Sequence, residues 1–282
     1  MVTTTEMDFS AWIGKTEERE DVVTAQPLIA LSALLDRDDP KPREGDAAPP
    51  LAHWLYFLPD YRQSAAGPDG HAARGEFLPP VPLPRRMWAG SRLEFLRPMR
   101  VGERVRRLSR ILDVKSKQGR SGALVFVTVR HEISGPSGLA IVDEHDIVYR
   151  GDTGKAVADP VAAPVNELWS RTIEPDPVLL FRYSAVTFNG HRIHYDHPYV
   201  TKVEGYPGLI VHGPLIATLL IDLLRRSLPG VDVKRYAFRA MRPLFDTAPF
   251  EVCGRPGEDA AQASLWTRDA EGAVTMQAEA SW

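Results

Sequence analysis

The stretch from Gly213 to Leu228 constrains the fold more than any other. Leu215, Ile216, Leu219, Leu220, Leu223 and Leu224 recur at helical spacing. Gly213 reads as the N-cap and Pro214 as the first helical residue; Arg225 and Arg226 fall in the last turn, and Pro229-Gly230 is the stop. A helix this apolar has to be covered. Four strand-like runs follow, near Lys234 to Met241, Phe250 to Gly254, Ala261 to Arg268 and Val274 to Trp282. The expectation is a sheet wrapped around one buried helix.

The first half predicts a similar sheet, with strands near Arg92 to Phe95, Arg104 to Val114, Ala123 to Ile133 and His145 to Arg150, the third alternating through Val125, Val127 and Val129. Its helix is less defined: Thr24 to Asp36 is amphipathic, whereas Leu55 to Leu58 is a short apolar turn ending at Pro59. A weak internal repeat links the halves. Leu93 to Val105 parallels Phe238 to Phe250 through Arg97-Pro98 and Arg242-Pro243, and upstream Pro50 to Trp54, with His53, parallels Ile210 to Pro214, with His212. Two matches in the same order favour duplication. Residues 1–150 are therefore taken as a degenerate first unit, 151–176, rich in Ala, Val and Pro, as a linker, and 177–282 as the second unit. The Gly- and Pro-rich stretch Asp60 to Arg86 is either a cover over a pocket or a plain surface loop.

Just upstream of the apolar helix lies a polar string, Thr187-Phe188-Asn189-Gly190-His191-Arg192-Ile193-His194-Tyr195-Asp196. Histidine moves protons near neutrality. His194 follows Asn189 by five positions, and Gly190 between them allows a sharp bend, so both side chains can hold one water. The start of the helix adds free N–H groups and a positive dipole end for a developing oxyanion. Adding water across a double bond beside a thioester carbonyl needs these three parts.

The string and the Ile210-Val211-His212-Gly213-Pro214 turn resemble the MaoC-like and (R)-specific enoyl-CoA hydratase superfamily. Within it they resemble the branch of type 2 hydroxyacyl-thioester dehydratases and of mesaconyl-C4-CoA and itaconyl-CoA hydratases. The resemblance implies an α+β double hotdog, each half an antiparallel sheet around a central helix, with the catalytic site in the second half. It implies that His194 and the Gly213 N–H are catalytic. Asn189 stands where the superfamily has an aspartate, so the acid/base work falls more on His194, with Asp196 or Tyr195 helping. Tyr183, in the Phe181-Arg182-Tyr183 lead-in, and Asp196 are the expected supporting residues. His191, Arg192 and Arg242 are the expected substrate contacts, although Arg97 repeats Arg242 in the half without the string.

The activity implied is reversible hydration of a short branched dicarboxylic enoyl-CoA, mesaconyl-C4-CoA or itaconyl-CoA, giving citramalyl-CoA. The alternatives are a fatty-acid-type 3-hydroxyacyl-thioester dehydratase, a hotdog thioesterase and a non-catalytic acyl-CoA binder. Coenzyme A belongs to the substrate, and no metal or redox cofactor is expected. A net charge of −3 argues against a nucleic-acid partner. No apolar run is long enough to span a membrane, and Met1 to Glu6 lacks the basic and apolar regions of a signal peptide, so a cytoplasmic protein is expected, as a monomeric double hotdog or a homodimer. Cys253 is the single cysteine and reads as a buried small side chain. Arg92, Arg97, Arg100, Arg104, Arg106, Arg107 and Arg110 crowd one stretch; a solvated strand face accounts for them better than coenzyme A phosphates do.

Overall fold

The computed structural model describes residues 8–119, 122–151 and 159–282. Met1 to Glu6 and part of the expected linker, 152–158, lie outside the described residues. In chain order the elements are β1 (Thr16–Val22), α1 (Ala25–Leu34), β2 (Arg85–Phe95), β3 (Arg104–Gly119), β4 (Gly122–Gly135), β5 (Gly138–Arg150), β6 (Trp169–Ile173), α2 (Pro177–Thr187), α3 (His197–Lys202), α4 (Gly213–Ser227), β7 (Arg235–Ala240), β8 (Phe250–Pro256), β9 (Gln262–Arg268) and β10 (Val274–Ser281). Among them no helix is long and apolar enough to cross a membrane.

Ten strands form one antiparallel sheet in the order β1-β3-β4-β5-β2-β7-β10-β9-β8-β6. Read from either edge inward, the order is first, third, fourth, fifth and second strand of its half. That is a double hotdog, two five-stranded sheets joined edge to edge through β2 and β7. At the join Gly90 faces Arg239, and a Cβ on Gly90 would come within 2.4 Å of the Phe238 carbonyl oxygen. Glycine is required there because the two backbones approach too closely for any side chain.

The second half wraps around α4. Every residue from Leu215 to Leu224 is buried, including Asp222 at 1% exposure. Each buried leucine contributes about 2 kcal/mol by removing apolar surface from water. Asp222 is tolerated because Arg37, Arg226 and Arg171 surround its carboxylate at 2.8, 2.7 and 3.4 Å. In the first half the corresponding place, between α1 and β2, holds only the short 3-10 turns Ala52–Leu55 and Gln63–Ala65. By chain order α1 matches α2, and the two pack together. The long central helix thus occurs once.

The sequence repeat has a structural meaning. The N–H groups of Leu96 and Arg97 both donate to Ala140 O on β5, at 2.8 and 3.1 Å. Those of Met241 and Arg242 both donate to Thr275 O on β10, at the same two distances. Each Arg-Pro step is the crossing from the second strand of a half onto its fifth.

Three features differ from the sequence reading. The helix starts one residue earlier than expected, with His212 as N-cap and Gly213 as its first residue. The stretch expected as a linker carries an edge strand, Trp169–Ile173, paired with β8. The charged run Thr16–Val22 is also an edge strand, on β3. Three arginines of the cluster are paired on the sheet itself: Arg92 with Glu144 and Asp146, Arg106 with Glu18, and Arg107 lies 3.7 Å from Glu17. Cys253 is fully buried, and burial pushes its thiol up to about 11.

Candidate active site

Helix α2 delivers the polar string. Asp176 caps it by accepting the Leu179 N–H at 2.7 Å, with Pro177 in the first turn. It ends where Phe188 takes a left-handed conformation (φ 47°) and the Asn189 N–H closes onto Ser184 O at 2.8 Å. This turns the chain out of the helix at Asn189. The Asn189 Oδ1 then accepts the His191 N–H at 3.0 Å, and a 3-10 turn, Arg192–His194, swings His194 inward.

His194 is 7% exposed, and its Nδ1 lies 2.7 Å from Ile210 O. A carbonyl can only accept, so Nδ1 carries the proton and Nε2 keeps its lone pair. Burial pushes the pKa of His194 down to about 4. At neutral pH the ring is an uncharged base. His212 stacks on it, with centroids 3.6 Å apart and planes 19° from parallel. His212 is itself fully buried; its Nε2 meets Ser184 Oγ at 2.9 Å, and Tyr183 packs edge-on at 5.0 Å. Tyr183 therefore supports the histidine stack by packing, and burial pushes its hydroxyl pKa upward.

Gly213 opens α4 with no side-chain cap. An N–H at this position has no intrahelical acceptor and sits at the positive end of the helix dipole. A Cβ there would lie 3.9 Å from the Trp88 carbonyl, so the start of α4 faces β2 of the first half.

The remaining string residues are committed to holding the turn. The Asp196 Oδ1 caps α3 by accepting the Tyr199 N–H at 3.0 Å, and its Oδ2 accepts Arg192 Nε and Nη2 at 2.9 and 2.7 Å. These bonds hold the Asp196 carboxyl below the usual range. Arg192 also donates to Pro68 O at 2.9 Å and lies over the Tyr199 ring at 4.1 Å. The Tyr195 hydroxyl donates to Gly190 O at 2.9 Å. Arg242 is elsewhere, 3.8 Å from Asp269 at the β9–β10 turn. Its counterpart Arg97 likewise meets Gly138 at the β4–β5 turn.

The sequence left the Gly/Pro loop as either a cover or a plain surface loop, without showing which residues it would meet. It lies directly on the string: Arg192 N–H donates to Asp69 O at 2.9 Å and its Nη1 to Pro68 O at 2.9 Å, and Gly70 and Gly190 meet back to back, while within the loop the Tyr61 hydroxyl donates to Gly70 O at 2.6 Å. The loop thereby brings His71 to 4.1 Å from the His191 ring, and His191 lies edge-on to His194 at 5.4 Å. The Asp69 carboxylate accepts both the His71 N–H and its Nδ1–H at 3.0 Å. Burial raises the Asp69 pKa, but these bonds outweigh it and leave the group below its usual range. Burial drives His71 and His191 the other way, toward the neutral ring, assisted by the charge of Arg86. An Asp-Gly-His triplet inside a proline-rich loop was the only signal, and nothing in its spacing ties it to a string 120 residues away.

The first half has a buried polar group of its own. Asp143, 1% exposed, sits at 3.0 Å from His53 Nε2, 2.6 Å from His145 Nε2 and 2.9 Å from Trp54 Nε1. Trp88, whose carbonyl faces Gly213, stacks its ring on His145 at 4.0 Å.

Comparison with known proteins adds the following. Residues 51–246 match the family model of hydroxyacyl-thioester dehydratase type 2. The chain is 47% identical over 274 residues, 96% of each chain, to the mesaconyl-C(4)-CoA hydratase of Chloroflexus aurantiacus. Among solved structures, a MaoC-like dehydratase from Phytophthora capsici superposes with a TM-score of 0.69 at 17% identity, covering 95% of this chain and 96% of the other. A double-hotdog protein of Mycobacterium tuberculosis, Rv0216, superposes with a TM-score of 0.54 at 12% identity, covering 95% and 96%.

Proposed function

The chain belongs to the hydroxyacyl-thioester dehydratase type 2 family, and from this premise we propose that it reversibly hydrates mesaconyl-C4-CoA, or a closely similar branched dicarboxylic enoyl-CoA, to citramalyl-CoA. The observation that carries the substrate is the 47% identity to a mesaconyl-C(4)-CoA hydratase along nearly the whole of both chains. A cytoplasmic location belongs to the same proposal.

In the proposed reaction the water oxygen bonds to the β carbon, and its proton goes to Nε2 of His194. The lone pair required there follows from the Nδ1–H bond to Ile210 O. The electron pair of the double bond moves onto the thioester oxygen, which the Gly213 N–H and the positive end of α4 stabilise. His194 then returns the proton to the α carbon. Asn189, its oxygen engaged by the His191 N–H, keeps its amide N–H groups to donate to the water oxygen.

The substrate carboxylate needs a cation, and Arg86 suits this better than Arg242. Arg86 stands on β2 two residues before Trp88, and its charge acts on His71, His191 and Tyr61. Among the described residues no carboxylate pairs with it.

Following the absorbance of enoyl-thioesters tests the reading. Mesaconyl-C4-CoA should lose its conjugated absorbance with wild-type protein, and His194→Gln should slow this by 10²–10⁴-fold, about the contribution of a general base. Unchanged mesaconyl-C4-CoA alongside rapid conversion of crotonyl-CoA would favour the fatty-acid-type dehydratase. Release of free thiol would favour a thioesterase.

A further inference from the structure

A water that attacks a carbon needs two acceptors: one takes a proton, and the other holds the second O–H so that a lone pair faces the β carbon. His194 Nε2 supplies the first. On the string the one carboxylate, Asp196, is already paired with Arg192 and caps Tyr199, and Asn189 offers only a neutral amide oxygen that accepts the His191 N–H.

The covering loop brings a carboxylate to this place. With its Nδ1–H given to Asp69, His71 keeps a lone pair on Nε2. One polar atom each from Asp69, His71 and His191 lies within 4.8 Å of the other two. The carboxylate and the two imidazoles thus border one small space, with Asp69 and His71 bonded to each other at 3.0 Å. His191 lies edge-on to His194, ring centroids 5.4 Å apart, so this cluster adjoins the base.

We propose that Asp69 and His71 are catalytic residues of the hydration: together with His191 they hold the attacking water, and Asp69 supplies from the first half of the chain the carboxylate that the string lacks at Asn189. The proposal rests on the reading of the chain as a hydratase. One O–H bond of the water breaks and its proton goes to His194 Nε2, while the oxygen bonds to the β carbon. The other O–H stays on the Asp69–His71 pair and becomes the product hydroxyl. The thioester enolate then takes the proton back from His194 at the α carbon, so the enzyme ends as it began. Two imidazoles and a carboxylate are also a donor set for a divalent cation. The nearby charge of Arg86, which already acts on both imidazoles, opposes a dication and favours water.

Asp69→Asn tests this with little disturbance of the loop, because the amide oxygen can still accept the His71 N–H. The expected result is a fall in kcat of at least 100-fold with KM within about threefold of wild type, the loss typical of an acid–base group. Adding Asn189→Asp to that variant moves the carboxylate onto the string and should recover at least tenfold. A kcat for Asp69→Asn within threefold of wild type overturns the proposal, as does a loss that Asn189→Asp leaves unrepaired, since the loop would then matter only for its shape. Inactivation of wild type by a chelator, reversed by zinc, overturns it in favour of a metal site. All variants are compared on a thioester that the wild type hydrates; if the wild type hydrates none, it is the hydratase reading that fails.

Discussion

Replacing Gly70 with alanine would separate the covering loop from the string at one point. A Cβ there would lie 1.9 Å from Gly190 O and 2.9 Å from Gly190 C, both backbone atoms that cannot rotate aside. Restoring a contact of at least about 3.0 Å moves one backbone past the other by roughly 1.1 Å. Because Asp69 and His71 flank the substituted residue, they retreat from His191 by a similar amount. A misplacement of about 1 Å at a reacting centre costs on the order of 10²-fold in rate. Gly70 also has φ +88°, so alanine adds about 1 kcal/mol of backbone strain. Gly45 isolates that second effect: its φ is +83°, and nothing lies within 4 Å of its Cβ position. Gly70→Ala should therefore lower kcat about 100-fold, whereas Gly45→Ala should keep wild-type kcat; both lose some thermal stability through the positive φ, and Gly70→Ala loses more because of its clash with Gly190. Initial rates on mesaconyl-C4-CoA and thermal unfolding of the three proteins decide it. Equal kcat in Gly70→Ala and Gly45→Ala would refute the claim that the loop takes part in the chemistry.

Three further outcomes follow from the geometry. The pKa of His194 is near 4 when folded and near 6.5 when unfolded, so between those values only the unfolded chain binds its proton; its contribution is complete above pH 6.5 and falls by up to roughly 3 kcal/mol as pH drops toward 4, measurable by denaturant unfolding as the part of the acid loss that disappears in His194→Gln, while His71, His191 and His212, also held neutral by burial, keep the rest. Asp143→Ala strands the donors of His53, His145 and Trp54 in the interior and should cost about 3 kcal/mol or more, read as a lower urea midpoint; a midpoint unchanged from wild type would mean these groups find other partners. Arg86→Met should raise KM for mesaconyl-C4-CoA at least tenfold while changing KM for crotonyl-CoA little, and equal effects on both would remove Arg86 from the carboxylate site.

How much of this was legible in the sequence varied with the physical signal each element carries. Helix α4 announces itself by an apolar run buried on every side from Leu215 to Leu224, and strands such as β7 and β10 by the alternation that one-sided burial leaves. Val125, Val127 and Val129 do the same for β4, at 0, 0 and 1% exposure. Strand β1 leaves no such trace, since at the sheet edge Glu17 and Glu18 meet Arg107 and Arg106 of β3 diagonally, Glu20 faces Arg106, and the strand is chosen for charge. The duplication was visible because the Arg-Pro steps repeat one backbone crossing, from Leu96-Arg97 to Ala140 and from Met241-Arg242 to Thr275.

The sequence by itself determined two similar sheets, the single apolar helix and the polar string with His194 in it, because these are local patterns of burial and residue type, and the double hotdog was what its family resemblance implied. The tertiary structure alone decided that Asp196, Arg192 and Tyr195 hold the turn, that Arg242 belongs to a hairpin, and that Asp69 and His71 come to lie beside His191. The reason is that the loop and string join through backbone, Arg192 N–H to Asp69 O and Gly70 against Gly190. Contacts of that kind depend on how the chain returns over 120 residues, and they leave no periodic mark in either segment.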